Sequence, residues 1–126
     1  MSVDTAHAFT SVPAVTLASD FEVRVLAVDR ARATVRLRGD FDLASAPLLL
    51  AVLQHHLDCG LRDVRLDLSG VTFLDCSGLG TIVSVHNEVR TRGGQVTLTG
   101  VGARVARLLR LTALDSVLEI APARPR

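Results

Sequence analysis

Between Val64 and Arg92 two hydrophobic periods meet at one polar turn, and that junction limits the folds open to the chain. Val64, Leu66 and Leu68 alternate with Arg65 and Asp67, the two-residue period of a half-buried strand. Phe73 and Leu74 then cover a turn. From Cys76 to Arg92 the apolar positions switch to helical spacing, with Leu79, Ile82, Val83, His86 and Val89 on one face and Gly93-Gly94 as the stop. A strand that feeds a helix through so short a turn must bury both apolar faces in a layered α/β arrangement. The turn itself, Asp75-Cys76-Ser77-Gly78, is a compact cluster of chemically able side chains in a chain rich in valine, leucine and arginine.

The flanking segments repeat the alternation of strand and helix. Residues 1–19 mix Ser, Thr, Ala and Val around Pro13 without a period, as in a flexible tail, with a short extended piece near Val12 to Leu17. Phe21, Val23 and Val25 against Glu22 and Arg24, then residues 33–38 after an Asp29-Arg30 turn, predict a hairpin that ends at Gly39. Ser45 is placed to cap a helix whose first turn accepts Pro47 and which runs to about Asp58, with Leu49, Val52, Leu53, His56 and Leu57 on one face. Residues 95–99 read as a strand, 103–111 as a third helix, 117–120 as a last strand and 122–126 as a loose tail. The order β-β-α-β-α-β-α-β over one domain, residues 20–121, calls for a mixed sheet with helices packed on it.

Composition removes several function classes. A chain of 126 residues suits one domain with its own core, and 48% hydrophobic residues exclude intrinsic disorder. No apolar run reaches the roughly 18–20 residues of a membrane span, and the first residues lack a signal-peptide pattern, so no membrane association and a cytoplasmic location are expected. A net charge of +1, with four Phe and neither Trp nor Tyr, gives neither the basic excess nor the stacking platforms of a nucleic-acid binder. All fourteen basic residues are Arg, which removes Schiff-base chemistry and the lysine of a phosphate-binding loop. Cys59 and Cys76 are too few for a disulfide framework and lack metal-ligand spacing.

The remaining chemical candidates are weak except one. A serine nucleophile elbow needs Gly two residues to either side, whereas Asp75 and Leu79 flank Ser77. His86 lies nine residues along the same predicted helix, roughly 13 Å away at about 1.5 Å per residue, out of reach as a base. The protein is therefore not expected to be an enzyme. Gly78-Leu79-Gly80 lacks the third glycine of a dinucleotide fingerprint, because Val83 stands there, and no cofactor is expected. Two glycines in the first helical turns, each costing about 1 kcal/mol against alanine, point instead to a backbone approaching closely, from a neighbouring element or a partner. His55 and His56 diverge by about 100° on their helix and make no metal site, and His86 fits a hydrogen-bonded core histidine. Arg104, Arg107 and Arg110 form a stripe at i, i+3, i+6, either a solvated face or a surface for an acidic partner.

Asp75 is a natural helix cap, and capping alone accounts for much of the cluster. It does not account for Ser77. A hydroxyl in the first helical turn sits where unpaired N–H groups and the helix dipole favour an anion, so a phosphate there is compatible with the fold. Phosphorylation adds about −1.5 to −2 charge at one surface point, beside the carboxylate of Asp75, and would re-charge any interface centred there.

The run from Asp67 to Gly80, preceded by Gly39-Asp40-Phe41-Asp42 and followed by Gly93-Gly94 and a helix with Val105, Leu108 and Leu109, resembles the STAS domain of bacterial anti-sigma-factor antagonists over about residues 20–121. The resemblance implies a mixed four- to five-stranded sheet flanked by helices, and a role in partner switching. In that family the unphosphorylated antagonist binds an anti-sigma factor that is also a serine kinase, releasing a sigma factor; the kinase phosphorylates the antagonist, and a PPM-type serine phosphatase reverses it. Carried over, Ser77 is the phosphate acceptor, Asp75 and Gly78 shape its loop, Asp42 belongs to the neighbouring loop on the same binding face, and Cys76 and Leu79 complete the contact. Many members have Ser where this chain has Cys76, which leaves Ser77 as the acceptor and puts a thiol at a helix N-terminus, either redox-sensitive or a small buried filler. Two other functions are open to the sequence: a STAS scaffold or subunit in a signalling or transporter-associated complex without phosphorylation, and a small serine enzyme.

Overall fold

The computed structural model describes residues 16–18 and 21–121. In chain order the elements are β1 (Thr16–Ala18), β2 (Phe21–Asp29), β3 (Arg32–Phe41), α1 (Ala46–Asp58), β4 (Asp63–Leu74), α2 (Cys76–Thr91), β5 (Gln95–Thr99), α3 (Ala103–Leu111), a 3₁₀ turn (Leu114–Ser116) and β6 (Glu119–Ile120). The strands lie side by side in sequence order as one six-stranded sheet. The first two pairings are antiparallel and the last three parallel, because a helix returns the chain between β3 and β4, between β4 and β5, and between β5 and β6.

The two-residue period decides which sheet face is covered. Val23, Val25, Val35, Leu37, Val64, Leu66, Val96 and Leu98 are buried in one core with Leu49, Leu53 and Leu57 of α1 and Leu79, Ile82, Val85 and Val89 of α2. The alternate positions carry charges on the open face, where Arg24 pairs with Glu22, Arg32 with Asp63 and Arg36 with Asp67. Burial alone would raise the carboxyl of Asp67, but hydrogen bonds from Ser69 and Arg36 outweigh it and hold the group below the usual carboxylate range.

Four expectations are corrected. The sheet gains an edge strand, β1, inside what reads as a tail; the rest of the extended piece expected near Val12 to Leu17 lies outside the described residues. Phe73 and Leu74 belong to β4 rather than to a turn. Bulges hide this, since β4 advances three residues from Asp67 to Gly70 while β3 advances two, and slips again before Phe73, breaking the alternation that marks a strand. The last strand shrinks to Glu119–Ile120 because residues 114–116 close a 3₁₀ turn. On α2 it is Val85, not Val83, that is buried, and the Nδ1 of half-buried His86 has no hydrogen-bond partner among the described residues.

Candidate functional site

Parallel strands β3 and β4 end together, with Phe41 beside Leu74, so the two connections leaving them start at the same end of the sheet. Phe41 is anchored by stacking on Phe21, with ring centroids 5.2 Å apart and planes 7° from parallel. Its carbonyl oxygen lies against Gly78, so closely that a Cβ at residue 78 would collide with it and with a Leu74 methyl at 2.9 Å. Only glycine lets the first turn of α2 press against the end of β3. That contact locks the loop beginning at Asp42 beside the turn carrying Ser77.

Each connection is organised by an aspartate, in different ways. Asp75 has an extended backbone and its Oδ1 accepts from the Gly78 N–H at 3.0 Å, the expected cap. Ser77 is then the second residue of the helix, where its N–H has no intrahelical partner. Its side chain is partly exposed, and its hydroxyl makes no hydrogen bond among the described residues. The backbone beneath is fixed, because the hydroxyl of buried Thr81 donates to the Ser77 carbonyl at 2.9 Å.

In the other loop, Asp42 Oδ1 accepts from the N–H groups of Ala44 at 3.0 Å and Ser45 at 3.2 Å and from the Ser45 hydroxyl at 3.1 Å. Ser45 sits at the cap position of α1 but makes no cap hydrogen bond; its hydroxyl turns inward and donates to the Asp40 carbonyl at 2.7 Å. The expected capping role of Ser45 is thus corrected to a buried loop tie. The carboxylate of Asp42 shapes the loop that presents Leu43, whose side chain is 74% exposed.

The six residues expected on a partner-binding face therefore separate. Ser77 and Cys76 are accessible, and the Cys76 thiol is exposed rather than a buried filler. Asp42 and Asp75 stand at the rim and shape the two loops. Gly78 and Leu79 are buried, Leu79 at 3% exposure, behind the turn that carries Cys76 and Ser77. Two residues that sequence reasoning missed belong to this end: Leu43, and Phe73, which is 50% exposed at the end of β4. An apolar residue in a sequence carries no mark of exposure, and only placement in the fold reveals it. Among the described residues no group of three or more metal-ligating side chains converges, and no helix is long and apolar enough to cross a membrane.

Comparison with known proteins bears on this geometry. The STAS domain profile matches residues 23–125, most of the chain. The chain belongs to the STAS family. Among curated STAS relatives, the anti-sigma-B factor antagonist of Bacillus subtilis is 33% identical over 86 residues, covering 68% of this chain and 78% of that protein. The crystal structure of an anti-sigma factor antagonist from Mycobacterium paratuberculosis superposes with a TM-score of 0.71 at 21% identity, over 86% of this chain and 92% of that one. The Bacillus cell fate determinant SpoIIAA in its phosphorylated form gives a TM-score of 0.64 at 17% identity, over 79% and 91% of the two chains. These structures share the fold, and the relatives named as antagonists give the role to be weighed.

Proposed function

We propose that this STAS protein is an anti-sigma-factor antagonist: with Ser77 unmodified it binds an anti-sigma factor that is also a serine kinase and so frees a sigma factor, and phosphorylation of Ser77 ends the binding. The observation that carries this is the contrast in access at one end of the sheet. The Ser77 side chain is partly exposed and its hydroxyl unpaired among the described residues, on a fixed helical turn, while Ser45 in the adjoining loop is buried and hydrogen-bonded.

The chemistry follows from position. The γ-phosphoryl group of ATP held by the kinase forms an ester with the Ser77 Oγ as its bond to the β-phosphate breaks; ADP leaves, and the hydroxyl proton passes to a base on the kinase. The product dianion rests at the N-terminal end of α2, where unpaired N–H groups and the dipole tolerate it. The fold is thus left intact. The interface is not, because the face around Ser77 already holds the carboxylates of Asp75 and Asp42 and the exposed Leu43. Adding about −1.5 to −2 charge makes a partner that docks there desolvate an unpaired anion. A PPM-type phosphatase resets the switch. The family relationship supports the role, and a fold neighbour solved in a phosphorylated form supports the modification.

The test is to mix the protein with candidate anti-sigma kinases and ATP and map phosphate by mass spectrometry. Phosphate is expected on Ser77 alone, with Ser77→Ala still bound but unmodified. Phosphate on another residue would overturn the switch, and stable binding without any transfer would leave a scaffold.

A further inference from the structure

Among the described residues, β4 loses its neighbour on the β5 side beyond Asp67, because β5 ends at Thr99, while β3 accompanies β4 to Leu74. Helix α3 runs past this open edge without closing it. Between them lies a cleft of about 150 Å³ lined by Val71, Thr72, Phe73, Leu74, Arg104, Val105 and Leu108. The floor is apolar and the helix side is cationic. Leu111, three residues after Leu108, continues the apolar strip and is 73% exposed. Arg104 and Arg107 stand one turn apart on the same side, both exposed. Helix α3 contains no acidic residue, and among the described residues neither arginine enters an ion pair.

A solvated face explains isolated arginines, but not Arg104, which lines the cleft with exposed Phe73 and half-buried Leu108, with Arg107 one turn further along the helix. Burying that apolar floor requires an apolar side chain. The unanswered positive charge beside it selects the sign of what flanks that side chain. A cationic partner would be repelled, and a second copy of this chain would bring its own arginines to the contact.

We infer that the cleft between the end of β4 and α3 docks an acidic segment of a protein partner, with one apolar side chain set between Phe73 and Leu108 and its Asp or Glu residues against Arg104 and Arg107. The inference depends neither on Ser77 nor on its phosphate. The unpaired edge of β4 offers backbone groups to an extended segment, the mode by which peptides join exposed sheet edges.

The probe is a blocked six-residue peptide with a central leucine-phenylalanine pair and two acidic residues on each side, titrated to millimolar concentration into the ¹⁵N-labelled full chain. Saturable amide shifts are expected at Val71 to Leu74 and along α3. In Arg104→Glu/Arg107→Glu, whose changes are at exposed positions, the spectrum should stay dispersed while affinity falls about tenfold, the sum expected for two surface charge reversals. The same peptide with lysines for its acids should not bind. Equal binding by the variant or by the lysine peptide overturns the inference, as do shifts centred elsewhere or none at all. Concentration-dependent shifts of the cleft without peptide overturn it in favour of a second copy.

Discussion

Two serines open helices at the same end of the sheet, and the fold treats them in opposite ways. Ser45, 3% exposed, hydrogen-bonds to the Asp40 carbonyl and Asp42 carboxylate and holds a loop together. Among the described residues the Ser77 side chain makes no hydrogen bond, and its backbone is secured by others, through Thr81 and the seating of Gly78 on Phe41. The difference shows how a small domain can leave one hydroxyl unengaged: the structural hydrogen bonds fall to neighbours, so the phosphorylation proposed for Ser77 is expected to leave the fold intact.

The same substitution at both sites breaks the comparison most sharply. Ser45→Asp places a second carboxylate beside Asp42 in a buried loop and should cost more than about 3 kcal/mol, enough to unfold much of the protein. Ser77→Asp should stay within about 0.5 kcal/mol of wild type in urea unfolding, since an acid in a first helical turn is favourable. Its affinity for the anti-sigma partner should nevertheless drop by about 100-fold, the scale of one unpaired charge in a desolvated interface. Comparable instability of the two variants would mean that Ser77 also has a structural role. Ser45→Ala is the milder probe: it removes the hydroxyl bond to the Asp40 carbonyl and one of three to the Asp42 carboxylate, and should cost about 1–3 kcal/mol with partner affinity per folded molecule preserved.

Gly78→Ala tests what holds Ser77 in place. The new methyl meets the Phe41 backbone, which cannot move without unstacking Phe41 from Phe21, so about 2–3 kcal/mol should be lost in denaturant unfolding. A methyl tolerated without loss would mean that the two loops are not locked together.

How much of this could be read beforehand depends on the kind of signal. The helix boundaries, the hairpin and the Asp75 cap were legible because period and capping chemistry are local. Strand β4 was read too short, since two bulges within residues 67–73 break its alternation. The residues of the Asp75–Gly78 turn stand out in the sequence but their surroundings do not: the burial of Gly78 and Leu79 follows from seating α2 on β3, and the tie between Asp42 and Ser45 from the fold of the neighbouring loop. Leu43 and Phe73 carry no pattern at all that marks them as exposed.

Gly80 gives the smallest effect and the finest test. It lies three residues beyond Ser77, on the same side of α2, and a Cβ built there meets nothing within 4 Å among the described residues. Unlike Gly78, it has no internal reason to be glycine, and a helical glycine is disfavoured by about 1 kcal/mol against alanine. Gly80→Ala should therefore stabilise the isolated protein by up to about that amount. If a partner's backbone passes over the first turns of α2, the methyl that stabilises the free protein should weaken the complex, and leucine at the same position should weaken it further. Calorimetric titration of the anti-sigma partner against both variants decides this. Affinity rising or unchanged for alanine and leucine alike would remove the second turn of α2 from the interface and confine the contact to Ser77 and the Leu43 loop.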